Sequence, residues 1–251
     1  MQSNLYISLS AQLALLKRME GVAQNVANVS TPGYRAERIS FQEYLSRQPG
    51  PATSFVQSGQ TYLSSRAGAL EKTSNPYDIA VNGDGWLGIS TPQGLAYTRD
   101  GRFNLSPQGE LLSVQGFPLT DIGGSPIQID ASGRAPSIGK DGSISRDGQT
   151  IATIGLFRIP PEARLRRGEN GSVVPDRPAE PQIDFNAASI SQGYIEKSNV
   201  EPVKEMTHLI TIPAQFRRHF QRRERTRGWA FERDPYSRRL TACTHLQRLK
   251  T

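Results

Sequence analysis

Cysteine occurs once in the 251 residues, at position 243, and the three histidines stand at 208, 219 and 245. Residues 1–207 hold neither, which excludes disulfides, thiolate nucleophiles, imidazole bases and His/Cys metal sites from most of the chain. No cofactor, metal or small-molecule substrate is expected there, and no enzyme. No run of eighteen apolar residues occurs, so no membrane-spanning helix is expected. The N-terminus also lacks a signal peptide's basic region and continuous apolar core, because Gln2, Ser3, Asn4, Ser8, Ser10 and Gln12 interrupt it. A soluble chain exported without a cleavable signal is the expectation. Balance of charge is lacking too, but only locally. Ten Arg and one Lys against Glu224, Glu232 and Asp234 put a net +8 on residues 214–251, while the rest of the chain carries −1 of the total +7.

Apolar residues 5, 9, 13, 16, 19, 22, 26 and 29 recur in steps of three and four. That is close to the 3.5 spacing of a coiled-coil seam and predicts a helix over Asn4–Val29. Asn28, Ser30 and Thr31 then compete for backbone hydrogen bonds, Pro32 bars αR geometry at Thr31, and Gly33 permits a positive φ. An exposed arm is expected over 31–74, with a short helical turn at Phe41–Leu45. From Tyr77 to Ile159 short apolar runs alternate with Asn-Gly, Asp-Gly and Pro-Gln-Gly turns, which predicts a compact all-β unit over 75–185. The polar, proline-rich stretch 164–181 reads as its exit loop.

Gly83-Asp-Gly85-Trp-Leu-Gly88 satisfies G-x-G-x-x-G. A dinucleotide site requires a helix N-terminus behind the glycines, and Ile89-Ser-Thr-Pro92-Gln-Gly94 cannot start a long helix. The glycines read instead as hairpin turns, and the Asp-Gly pairs as turns without the alternating carboxylates of a calcium loop. Further on, Asn199 suits an N-cap, Pro202 suits a first turn, and Val203, Met206 and Ile210 share one face, so a second helix is expected within 186–212. Glu205 is a solvent-facing charge or a partner for Lys17 or Arg18.

Asn25-Val-Ala27-Asn28-Val-Ser-Thr31-Pro-Gly33-Tyr34-Arg35 closely resembles a signature near the N-terminus of bacterial flagellar axial proteins, the rod, hook and junction subunits. Tyr77-Asp-Ile-Ala-Val-Asn-Gly-Asp-Gly-Trp-Leu with Tyr97-Thr-Arg-Asp-Gly-Arg-Phe resembles that family's central block. Gly193-Tyr-Ile-Glu196-Lys-Ser-Asn199-Val-Glu-Pro-Val203-Lys-Glu-Met206 resembles the opening of its C-terminal helix. The first twelve residues look like the proximal-rod branch, with the distal rod or hook as the alternative.

The resemblance implies a non-catalytic α+β fold, mainly β, in which a central all-β domain is flanked by N- and C-terminal coiled-coil helices that pair with each other. It further implies helical polymerisation with itself and other rod subunits into the periplasmic rod, after passage through the flagellar type III export apparatus. Leu9, Leu13, Leu16, Met19, Val22 and Val26 would then pack against Val203, Met206, Leu209 and Ile210, within and between subunits. Phe41 and Leu45 are anchors of the arm or, by resemblance, an export signal. After Ile212 the resemblance stops, Pro213 removes a helical hydrogen bond, and no 3.5-spaced seam follows. The basic tail, 213–251, is read as a frame-change product, with a nucleic-acid or anionic-membrane binder and a divergent native tail as the other readings.

Overall fold

The computed structural model describes residues 2–45, 54–168, 171–185 and 188–213, with side chains described for all of these except 2–8 and 41–59. Helix α1 spans Gln2–Ala27. It is followed by β1 (Glu37–Leu45), β2 (Ser54–Leu63), β3 (Leu70–Lys72), β4 (Ile79–Gly83), β5 (Trp86–Thr91), β6 (Gly94–Thr98), β7 (Phe103–Leu105) and β8 (Leu111–Ser113). Then come β9 (Ser137–Ile138), β10 (Ser143–Arg146), β11 (Gln149–Thr153), β12 (Leu156–Arg158), β13 (Leu165–Arg167), β14 (Val173–Pro175), β15 (Glu180–Pro181), β16 (Ala188–Gln192) and β17 (Tyr194–Glu196). A second helix, α2, covers 202–213, where the described residues end. The chain is thus α+β and mainly β.

The α1 stop works as its residues demand. The Asn28 amide bonds Gln24 O, Thr31 N–H donates to Asn28 O at 3.1 Å, and Gly33 takes φ +69°. Beyond it, the supposed arm is a hairpin: β1 pairs antiparallel with β2, from Glu37 opposite Leu63 to Leu45 opposite Ser54, with a register shift between Ile39 and Phe41. The helical turn expected at Phe41–Leu45 is therefore strand. Helix α1 turns Ala14, Gly21, Val22 and Asn25 inward, and Gly21 lies close enough to Ile39 of β1 for an added Cβ to meet its side chain at 3.6 Å.

The β unit is built on a six-stranded antiparallel sheet in the order β13-β14-β6-β5-β12-β15. Its main core gathers Ile79, Leu87, Ile89, Phe103, Leu119 and Ile144 with ten further buried apolar residues. A smaller cluster forms where Tyr97, Phe157 and Val173 meet beside Trp86 and Leu165. The stretch read as an exit loop supplies β13, β14 and β15: buried Val173 of β14 pairs with Tyr97, and β15 pairs with β12 at the sheet's other edge. The glycines of the G-x-G-x-x-G stretch make no β4–β5 hairpin: β4 pairs with β16 and β5 with β6, so Gly83 (φ +93°) and Gly85 form a corner between two sheets. Gly88 lies inside β5, where a Cβ would fall 2.4 Å from Thr120 Oγ1.

The C-terminal return is strand before it is helix. β16 pairs with β4, and β17 pairs with β3, Tyr194 opposite Lys72 and Glu196 opposite Leu70. Helicity begins at Pro202, whose missing N–H is harmless there. Asn199 does not cap it. Its Oδ1 accepts from Ala36 N–H at 2.6 Å, and its Nδ2 donates to Arg66 O, so tertiary partners claim the side chain.

Candidate assembly site

The three stretches that carry the resemblance lie far apart in sequence and meet at one buried carboxylate. Glu196, at the end of β17, accepts from Arg35 on Oε1 at 2.9 Å and from Arg99 on Oε2 at 3.0 Å, and all three side chains are almost wholly buried. Oε1 also accepts from Gly68 N–H at 2.8 Å. Arg35 donates further to the Ser65 and Arg66 carbonyls, and Arg99 to Val81 O (3.1 Å) and Gly83 O (2.6 Å). Both guanidiniums lie against the Trp86 ring, at 5.7 and 5.3 Å from its centroid.

Two cations on one carboxylate leave the cluster at a net +1 without solvent. Burial above all, then the neighbouring Arg35 charge, brings the Arg99 guanidinium down to about 10, with Glu196 and Asp84 acting against them. Burial also lowers Arg35, opposed by Glu196 and Asp84. Such a cluster contributes little net stability when whole, but removing one partner strands a charge at a cost of about 3–5 kcal/mol.

Around the triad, the N-terminal signature acts as a clamp. Asn25 is buried at the end of α1, where its Oδ1 accepts from Glu37 N–H (2.8 Å) and Tyr34 OH (3.3 Å) and its Nδ2 donates to Glu37 O (3.0 Å). Asn28 Oδ1 accepts from Thr31 Oγ1, which holds the turn, while Ala27 faces solvent. Gly33 donates to Glu196 O at 2.7 Å and passes so near the β unit that a Cβ would fall 2.2 Å from Asp100 N. Tyr34 lies under the Arg167 guanidinium, 4.1 Å from its ring centroid. Burial raises its phenol above the usual range, against the lowering effect of Arg167.

The helices present a different surface. Leu9, Leu13 and Leu16 of α1 are 49, 56 and 56 % exposed, and Val203, Met206 and Ile210 of α2 are 76, 53 and 74 % exposed. Met19, Val26 and Leu209 are half-buried, and Val22 is buried. The side of α2 turned inward carries Glu205, His208, Leu209 and Ile212 instead. A cavity of about 290 Å³ is lined by Arg18 and Val22 of α1, Glu37 and Tyr62 of the hairpin, and Glu205 and His208 of α2. Glu205 contacts His208 at 3.8 Å, in place of the ion pair with Lys17 or Arg18. Phe41 and Leu45 fall opposite Ser58 and Ser54, with side chains outside the described residues, as is all of 214–251.

Sequence reasoning placed Asn25, Asn28, Thr31, Gly33 and Tyr34 in a motif but missed Arg35, Arg99 and Glu196 as a site. Each lies inside a quoted motif, so the signal lay in charges fixed beside glycine turns in three segments.

Comparison with known proteins joins these segments to families. Residues 5–35 match the model of the flagella basal body rod protein family, 80–146 that of the flagellar hook protein FlgE/F/G D1 domain, and 191–217 that of the flagellar basal body rod FlgEFG protein C-terminal region. All three descriptions fall in one class, the rod and hook subunits of the bacterial flagellum. The chain is 44 % identical to the flagellar basal-body rod protein FlgF of Mesorhizobium japonicum and 40 % identical to FlgF of Rhizobium meliloti, each over 86 % of this chain and 90 % of the relative. It is 28 % identical to the rod protein FlgG of Bacillus subtilis over 86 % of this chain and 92 % of that one. The chain belongs to the FlgF family of flagellar basal-body rod proteins.

Proposed function

We propose that this chain is a structural subunit of the flagellar basal-body rod and that it polymerises, with itself and with other rod subunits, through the apolar faces its two helices leave in solvent. The observation that carries the assembly reading is the row Leu9, Leu13 and Leu16, about half exposed on one helix, with Val203, Met206 and Ile210 more than half exposed on the other. Leaving such faces wet forgoes about 25 cal/mol per Å² of burial, and contiguous apolar surface of this kind marks an association site. Coiled-coil pairing of these helices then belongs to contacts between subunits, since within one chain Leu9, Leu13 and Leu16 and Val203, Met206 and Ile210 all stay exposed. The higher identities to FlgF than to the Bacillus FlgG favour a place in the proximal rod over the distal one. Torque is then carried by packing, and the periplasmic position and passage through the type III export apparatus follow from the same family reading.

Leu13→Asp tests the assembly reading. The residue is 56 % exposed, so the isolated protein should melt as before. A charge buried in a polymer seam costs several kcal/mol per subunit. A strain lacking its own proximal-rod gene, supplied with a version of this chain that restores swimming, should stop swimming when Leu13→Asp is added. Retained motility with wild-type rod yield would remove α1 from the assembly surface.

A further inference from the structure

Residues 196–199 hold the segment that follows α1 by four bonds. Glu196 O accepts from Gly33 N–H (2.7 Å), Glu196 Oε1 accepts from Arg35 (2.9 Å), Asn199 Oδ1 accepts from Ala36 N–H (2.6 Å) and Asn199 N–H donates to Tyr34 O (3.2 Å). The other side of the junction belongs to the β unit, which presents Arg99 to the same carboxylate and packs its backbone against Gly33. Without Glu196 the two guanidiniums would face each other and Trp86 in a buried space, with the exposed Asp84 as the negative charge left acting on both. Like charges at that separation repel strongly at low dielectric.

We infer that Glu196 is a positioning residue that makes the seating of the α1 and β1–β2 unit on the β unit conditional on the C-terminal segment, so that a chain whose β17 is not in place does not present α1 in its assembly orientation. The two arginines arrive first in sequence, at 35 and 99, and the carboxylate that reconciles them arrives about a hundred residues later. The β unit has an apolar core of its own, the cluster of Ile79, Leu87, Ile144, Ile154 and their neighbours, which Arg99 meets at the Val81 carbonyl of β4. The junction is thereby a check that both ends of the chain are present before the helices are offered to neighbours. Nothing in it depends on the identity of the polymer.

Hydrogen exchange on the full-length protein reads this directly. Glu196→Gln keeps shape and one acceptor but removes the charge. It should speed exchange at the Gly33, Ala36 and Glu37 amides by on the order of 10²-fold, while Ile89 and Ile154 keep wild-type protection. Arg35→Met, which leaves a neutral Arg99–Glu196 pair, should loosen the same three amides. The double variant should then loosen them no further than the more affected single one, because both act through one contact. Arg99→Met, which leaves the Arg35–Glu196 pair, should leave those amides protected within about threefold. If Glu196→Gln leaves Gly33 and Ala36 unchanged, or if all amides speed up together, the inference fails. Should Glu196→Gln not fold, an Arg35→Met chain with unaltered exchange at Gly33 and Ala36 overturns it equally.

Discussion

At the scale of single residues, the N-terminal signature is a set of hydrogen-bonding duties rather than a surface. Asn25 satisfies both the N–H and the C=O of Glu37, twelve residues on, and also takes the Tyr34 hydroxyl. Ala at that position would strand a donor and an acceptor in a place with little water, at about 1–3 kcal/mol per group. Asn25→Ala should therefore destabilise the seating of α1 by about 2–4 kcal/mol, read as early loss of helical signal in denaturant while the β unit unfolds at its usual midpoint. These residues were legible as a motif because turn-forming Asn, Thr, Pro and Gly stand together. Their partners were not, since nothing near Asn25 names Glu37, and nothing near Glu196 shows that a charge between Ile195 and Lys197 is buried.

At the scale of elements, what the sequence revealed depended on whether the controlling contacts are local. Helix α1 was legible to within two residues at each end, since periodicity and a proline-glycine stop are local facts. The core strands β4 to β8 were legible for the same reason, their apolar runs being separated by turns. The β1–β2 hairpin was not, because a Ser-, Gln- and Thr-rich strand has no marked face until its partner is known. Strands β13 and β14 were hidden by prolines and arginines at positions where one buried residue, Val173, is enough to hold the edge, and two-residue β15 by its proline on the opposite edge. Gly88 shows a pattern misread as turn chemistry that is packing. A methyl there would fall 2.4 Å from Thr120 Oγ1 and 2.6 Å from Phe157, both buried. Gly88→Ala should lower the stability of the β unit by about 1–3 kcal/mol, measured by urea titration, with no change in helix seating. A neutral Gly88→Ala would mean that β5 and β12 can part more easily than their pairing suggests.

At the scale of the whole molecule, two kinds of stability coexist. The β unit has a closed core and should melt at a temperature independent of concentration. The helices leave six large apolar side chains exposed, and anything that covers them adds stability by mass action. Raising protein concentration over about two decades should therefore raise the midpoint of the helical signal and leave that of the β unit in place. A variant with Leu9, Leu13 and Leu16 all changed to Gln should lose the dependence. Concentration-independent melting of both signals in the unaltered chain would show that the faces do not associate in solution.

The pairing of β3 with β17 gives the chain a waist. Leu70–Lys72 enters and Tyr194–Glu196 leaves as neighbouring strands, about 5 Å apart, so the chain between 73 and 193 is joined to the rest through one narrow doorway. To the helices beyond it, the β unit is cargo: its size and shape can change through evolution or engineering without altering the distance between the two ends it returns. Charge follows the same rule. Taking the cargo away removes Arg99, and the Arg35 and Glu196 left at the doorway are then one cation and one anion, a balanced pair. Removing the domain thus leaves the doorway itself balanced, while stripping Arg167 from Glu37 and from the Tyr34 ring.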